Sequence, residues 1–249
     1  MNRTVKIFAS PFELAEALAI DIVKKITDAG TRKPVFSIAL TGGNTPDMLF
    51  SILGDHFAGS VNWNSVHFFW VDERCVPPDD PESNYGMVRA AFLNKIKIAE
   101  NNIHRMKGED DPVNEANRYA NTISEYTVKN KGLPAFDITL LGLGEDGHIA
   151  SIFPGSEIFF SSGPLCLPAV HPVTGQNRIT LSGRVINNSR IIYFMVTGKN
   201  KAEIVKNILY NKTGALKYPA SFIVPVDGEV FWYLDAGASG SLTEETGNE

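Results

Sequence analysis

Apolar residues follow two rhythms along the chain. Short continuous runs at residues 5–8, 35–40, 66–71, 136–141 and 191–196 have the length of buried strands. Between them the spacing changes to about 3.6 residues. Phe12, Ala15, Leu18, Ala19, Ile22, Val23 and Ile26 form one helical stripe, and Ser10-Pro-Phe-Glu13 supplies a cap, a first-turn proline and a capping-box glutamate. The same reading predicts helices from Pro46 to Leu53, from Ser83 or Asn84 toward Leu93, and over about 112–129 and 199–209. Further strands are expected at 103–106, 221–224 and 229–234. Alternation of this kind predicts an α/β fold: a mostly parallel sheet with helices on both faces. Residues 1–235 are expected to form a single domain, and the small, polar stretch 236–249 a flexible tail.

Composition narrows the function classes. The chain has 249 residues, of which 43% are hydrophobic and 20% charged, enough for a sizeable core. A net charge of −5 argues against nucleic acid or an anionic membrane as partner. No apolar run approaches a bilayer span, and Met1-Asn-Arg-Thr-Val-Lys lacks a secretory signal's apolar stretch. With only two cysteines, Cys75 and Cys166, the expected location is cytoplasmic.

Polar, glycine-rich clusters follow three of the strand runs, after Leu40, Val71 and Leu141. Ligands of open parallel sheets bind beyond the carboxyl ends of strands, so three such clusters predict one shared pocket. In Thr41-Gly42-Gly43-Asn44-Thr45-Pro46 two glycines allow close backbone approach, the helix start favours an anion, and Thr45 adds a hydroxyl. No Gly-Lys-Ser/Thr follows, so this is not a Walker loop. Asp72-Glu73-Arg74 places three charges directly after a strand: Arg74 is a candidate for holding an anion, and Asp72 for orienting a catalytic partner or a polar substrate atom.

Gly142-Leu-Gly144-Glu-Asp-Gly147 matches G-x-G-x-x-G letter for letter, but the dinucleotide reading fails. Pro154-Gly155 interrupts where a long helix should run, and residues 158–202 contain no Asp or Glu. A glycine loop carrying Asp146 and His148 suits a catalytic turn better, with His148 as general base. The acid-free stretch holds Arg178, Arg184, Arg190, Lys199 and Lys201, a basic segment in an acidic chain, which points to a small anionic substrate such as a phosphate monoester. There is no Gly-x-Ser-x-Gly elbow, and the five histidines and two cysteines lack paired metal-ligand spacing, so neither a serine hydrolase nor a metal site is expected.

Five segments together resemble the 6-phosphogluconolactonase family: Leu40-Thr-Gly-Gly-Asn-Thr-Pro46, the stretch from Asp72 to Tyr85, the stretch from Phe136 to Gly155, Arg178-Ile-Thr180 and Thr197-Gly-Lys-Asn-Lys201. The resemblance implies a three-layer, Rossmann-like α/β fold of the sugar-phosphate isomerase/lactonase type. It also implies cofactor-free hydrolysis of 6-phosphoglucono-1,5-lactone to 6-phosphogluconate in the pentose phosphate pathway. The related glucosamine-6-phosphate deaminase/isomerase family shares the glycine loop and the Asp-Gly-His turn. That family usually has an aromatic residue where this chain has Arg74, and a glutamate where it has Phe153. Glu145 replaces a proline common in the lactonases, without altering the roles. A non-catalytic sugar-phosphate sensor would be expected to add a DNA-binding segment, for which these 249 residues leave little room.

Carried onto this chain, the resemblance makes His148 the base and Asp72 the residue orienting His148 or a sugar hydroxyl. Gly42, Gly43, Asn44, Thr45, Gly144 and Asp146 are expected to line the substrate, with N–H groups near Gly43 or Gly144 facing the oxyanion. Arg74, Arg178 and Lys201 are expected around the phosphate, although Arg74 is also a candidate for the carbonyl end.

Overall fold

The computed structural model describes residues 3–30, 35–161, 163–210 and 214–242. The strands are β1 (Arg3–Phe8), β2 (Phe36–Leu40), β3 (Val66–Trp70), β4 (Asp72–Arg74), β5 (Ile103–His104), β6 (Val128–Asn130), β7 (Leu133–Ala135), β8 (Ile138–Leu141), β9 (Cys166–Val170), β10 (Asn177–Leu181), β11 (Ile191–Val196) and β12 (Glu229–Asp235). The α-helices are α1 (Pro11–Ala29), α2 (Asn44–His56), α3 (Asn84–Ala91), α4 (Pro112–Tyr126), α5 (Gly183–Ile186) and α6 (Ala202–Leu209).

Seven strands build one sheet in the order β1-β12-β11-β8-β2-β3-β5, and every pairing in it is parallel. Successive strand residues point to opposite faces, and both faces are covered. Ile38, Leu40, Phe68, Trp70, Ile138 and Leu140 pack with Leu14, Leu18 and Ile22 of α1, Phe50 and Leu53 of α2 and Val88 of α3. Ala39, Phe69, Leu141, Ile192 and Phe194 pack with Tyr119 and Ile123 of α4, Val185 of α5 and Val205 and Ile208 of α6. The result is the expected three-layer α/β arrangement. No helix among the described residues is long and apolar enough to cross a membrane.

The α1 start forms as its sequence dictates. Ser10 Oγ accepts from Glu13 N at 3.2 Å, and Glu13 returns a carboxylate oxygen to Ala9 N at 3.3 Å. The expected stripe holds except at its first turn, where Phe12 is 51% exposed.

The chain departs from expectation where the central sheet ends. After β3 it leaves the parallel sheet and enters a second, antiparallel one, ordered β4-β10-β9. The switch occurs at Val71, whose N–H still donates to Leu40 O while its carbonyl accepts from Leu181 N, both at 2.8 Å. Because β5 pairs with β3 only at Phe68 and Phe69, Trp70 has no backbone partner on that side. Tyr119 Oη from α4 fills the gap, accepting from Trp70 N at 2.7 Å and donating to Trp70 O at 3.0 Å.

Other differences are local. The helix read as 112–129 stops at Tyr126, where Thr127 Oγ1 donates back to Ile123 O and a two-strand ribbon, β6–β7, begins. The strand expected at 221–224 is replaced by a 3-10 turn over Pro219–Phe222, opened by its proline. Residues 236–242, read as the start of a flexible tail, form turns held by Asp235, which accepts from Ala238 N at 2.7 Å; Ala238 is fully buried. Residues 243–249 of that tail lie outside the described residues.

Candidate active site

β8, β2 and β3 are neighbours in the sheet, so their carboxyl ends deliver the three polar loops to one place. A cavity of about 260 Å³ lies there. It is lined by Thr41 and Gly42 after β2, Asp72 and Arg74 in β4, Asn84 at the start of α3, Gly142, Gly144 and His148 after β8, and Arg178 in β10. Ala150, Phe153 and His171 complete much of the wall.

The loop after β8 is folded around its histidine. Gly144 N donates to His148 O at 2.9 Å and Gly147 N to Gly144 O at 3.1 Å. Asp146 Oδ1 accepts from His148 N at 3.1 Å and lies 2.6 Å from His148 Nδ1. Burial alone would raise the Asp146 carboxyl, but the hydrogen bond and charge of His148 outweigh it and bring it down to about 2. An ionised Asp146 requires the proton on Nδ1, which leaves the lone pair of the neutral ring on Nε2. Gly144 must lack a side chain, because a Cβ there would stand 2.0 Å from His148 Nδ1. Ala150, two residues on, takes a left-handed φ of 47° that completes the sharp turn.

The loop separates the alternatives that the sequence leaves open. His148 is oriented by Asp146, expected among the substrate-lining groups, while Asp72 bonds Ser151, which leaves it the sugar hydroxyl. Gly144 N–H serves His148 O, which leaves the Gly43 end of the pocket for an oxyanion.

Asp72 is buried, with Oδ2 accepting from Ser151 Oγ at 2.8 Å. Asn84 Nδ2 donates to its carbonyl at 3.0 Å and reaches Oδ1 at 3.5 Å. The same Asn84 amide presses on Gly42, where a Cβ would meet Asn84 Oδ1 at 1.8 Å. Glu73, between the two charges singled out by the sequence, points the other way. Its carboxylate accepts from Arg74 N, Asn84 N and Tyr85 N at 2.7–2.8 Å and from Ser83 Oγ at 3.1 Å. Burial raises this carboxyl against those donors. Glu73 therefore folds the 74–85 loop onto the site.

Arg74 and Arg178 are register partners across β4 and β10. Arg74 Nη1 donates to Glu82 O. Both Nε atoms are buried without a hydrogen-bond partner among the described residues. Burial, then the charge of Arg74, lowers the Arg178 guanidinium from its ordinary range. Two adjacent cations with unfilled donors favour an anion between them.

Other expected residues sit further out. Gly43 and Asn44 line an adjoining cavity of about 300 Å³, which shares Arg74 and Asn84 with the first. Thr45 Oγ1 bonds Thr197 Oγ1 at 2.8 Å, tying α2 to the end of β11. Lys201 is not part of the cavity wall. It sits half-buried near Glu145 and Asp146; desolvation lowers it while those two carboxylates pull it back up. Thr41, Asn84 and His171 were not among the expected site residues. Phe153 stands between two histidine rings, its centroid 4.9 Å from His148 and 5.1 Å from His171.

A seven-stranded parallel sheet whose carboxyl ends present a His–Asp pair opposite paired guanidiniums defines a class: an α/β protein with a candidate acid–base site for a small anion. Residues 9–232 match the family model of glucosamine-6-phosphate isomerases/6-phosphogluconolactonase, and the chain belongs to that family, on its 6-phosphogluconolactonase side. It is 42% identical to the 6-phosphogluconolactonase of Haemophilus influenzae over 202 residues, covering 81% of this chain and 85% of that one. It is 37% identical to the Synechocystis 6-phosphogluconolactonase, covering 92% and 94%. The solved structure of 6-phosphogluconolactonase from Trypanosoma brucei superposes with a TM-score of 0.87 at 30% identity, covering 97% of this chain and 99% of that one.

Proposed function

We propose that this protein is an enzyme that hydrolyses 6-phosphoglucono-1,5-lactone to 6-phosphogluconate, a reaction of the pentose phosphate pathway. The observation that carries the reading is the His148–Asp146 pair sharing one cavity with the Arg74–Arg178 pair. His148 Nε2 takes a proton from a water as its oxygen attacks C1 of the lactone. The imidazolium, stabilised by ionised Asp146, returns that proton to the ring oxygen as the C1–O bond breaks. The resulting carboxylic acid ionises in solution. Arg74 and Arg178 hold the phosphate, and Asp72, fixed by Ser151 and Asn84, accepts from a sugar hydroxyl. N–H groups at the start of α2, where Gly43 provides no capping side chain, serve the developing oxyanion.

Phe153 supports lactone hydrolysis over amino-sugar isomerisation. It sets an apolar ring against His148 where the second reaction calls for a further carboxylate. The 37–42% identity to named lactonases supports the same choice. We place the enzyme in the cytoplasm, in keeping with free thiols at Cys75 and Cys166, and propose that it works without metal, so that chelation leaves turnover unchanged. The deciding experiment is a coupled assay with freshly generated 6-phosphogluconolactone, run beside glucosamine 6-phosphate with ammonia detection. Turnover of the lactone alone is expected; ammonia release without lactone hydrolysis would overturn the proposal.

A further inference from the structure

We propose that His171, at the base of the β9–β10 hairpin tip, is a substrate-binding residue that donates its Nε2–H to the anion held by Arg74 and Arg178. The inference rests on the sugar-phosphate reading of the site and adds a residue to it. His171 lines the same cavity as the two arginines and His148. Its ring stacks edge-on against Phe153, which fixes the plane in which it faces the pocket.

The hydrogen bonds of the ring select its tautomer. Nδ1 accepts from Val173 N at 3.3 Å and from Thr174 N at 3.2 Å. A backbone N–H only donates, so Nδ1 must carry a lone pair and the ring proton must sit on Nε2. His171 is thus a neutral ring whose one remaining polar group is a donor. Burial, with the charges of Arg178, His148 and Arg74, lowers its titration from the ordinary histidine range, against Asp146. A neutral donor suits this position, because it adds a hydrogen bond to an anion without adding a third charge beside two guanidiniums.

The hairpin tip that carries the ring is held in place. His171 N donates to Gln176 O and Gly175 N to His171 O, both at 2.9 Å. Gln176 Nε2 reaches across to Glu82 Oε2 at 2.9 Å, and Glu82 O is the acceptor of Arg74. The donor and one of the arginines are therefore braced through one residue.

Two substitutions separate binding from a structural role. In His171→Asn the side-chain oxygen takes the place of Nδ1 and keeps the hairpin contact but removes the distal donor. In His171→Gln the amide nitrogen takes the place of Nε2 and keeps the donor but loses the contact. The Asn variant is expected to raise KM for the phosphorylated lactone about 10-fold with kcat within about 3-fold, whereas the Gln variant stays near wild type. Calorimetric titration with inorganic phosphate should show the same order: weakened about 10-fold in the Asn variant and retained in the Gln variant. The opposite order, equal phosphate affinity in all three proteins, or a loss of kcat at constant KM would overturn the assignment. If wild type leaves the lactone intact while the phosphate titrations follow the expected order, the substrate reading fails and His171 stands.

Discussion

Replacing Asp146 with Asn tests the assignment of the base through its partner. The carboxylate lies 2.6 Å from His148 Nδ1, and its titration is brought from 3.8 to about 2 with the histidine as the main favourable cause. A fall of a little under two units corresponds to about 2.5 kcal/mol at 1.36 kcal/mol per unit. Asp146 is 43% exposed and His148 31%, so solvent screening reduces this to roughly 1 kcal/mol of interaction in the resting enzyme. The same charge stabilises the imidazolium formed as water is deprotonated, which by itself is worth about 5- to 70-fold in rate across that range. The amide oxygen of Asn keeps the place of Oδ1, accepting from the His148 backbone N–H and from Nδ1–H, so the base keeps its tautomer and loses only the neighbouring charge. We therefore expect kcat for the phosphorylated lactone to fall by about 5- to 70-fold with KM little changed, and the acid limb of the kcat/KM profile to move to lower pH. Stopped-flow measurement on freshly generated lactone between pH 5 and 8, corrected for spontaneous hydrolysis, provides the readout. A kcat within about 3-fold of wild type, or an acid limb displaced upward, would refute the reasoning.

Further outcomes follow from the same geometry. Gly144→Ala drives a Cβ to within 2.0 Å of the His148 ring, so circular dichroism should remain native while kcat drops at least ~100-fold. Arg178→Met removes a charged donor from the paired guanidiniums and should raise KM by about 10- to 100-fold, with turnover of the unphosphorylated lactone unchanged; equal losses on both substrates would remove it from the phosphate. His104, bonded to His67 at 2.9 Å, is lowered to about 4 by burial and then by the charge of His67. A histidine depressed in the fold binds its proton more readily in the unfolded chain, so stability is full above pH ~6.5 and declines as pH falls toward about 4. With the partial solvent contact of the pair allowed for, the loss is on the order of 2 kcal/mol, or about 4–8 °C in Tm. His104→Gln should flatten that slope of Tm against pH.

The layered sheet was legible because its strands are buried on both faces and so appear as unbroken apolar runs, as in Phe68-Phe69-Trp70. The antiparallel sheet was not. β4 is three charged residues, and β9 and β10 carry Pro168, Asn177 and Arg178, whose polarity reads as loop. His148 could be found from its glycine turn, and its partner was two residues away. In Asp-Gly-His the Asp146 oxygen that accepts from the His148 backbone N–H also reaches the ring, so the i, i+2 spacing already contained the pair. Glu73 and Ser151 were hidden for another reason: both act through contacts with segments distant in sequence, which no local pattern records. His171 left only a weak trace, a histidine opening a turn of Pro, Thr and Gly.

The sheet switch at Val71 has a consequence for how this protein can change. The base and its carboxylate belong to a loop of the parallel sheet, whereas Arg74, Arg178 and His171 ride on the antiparallel one. Grip and chemistry thus have separate foundations, which meet at Val71, in the Ser151–Asp72 bond and at the Phe153 ring. Substitutions in the β9–β10 hairpin are free to retune which anion is admitted while the reaction stays as it is. Losses from hairpin and glycine-loop variants should then multiply in kcat/KM except where the two positions meet through Phe153 or the Ser151–Asp72 bond, and a lineage could exchange one substrate for another by rebuilding the hairpin.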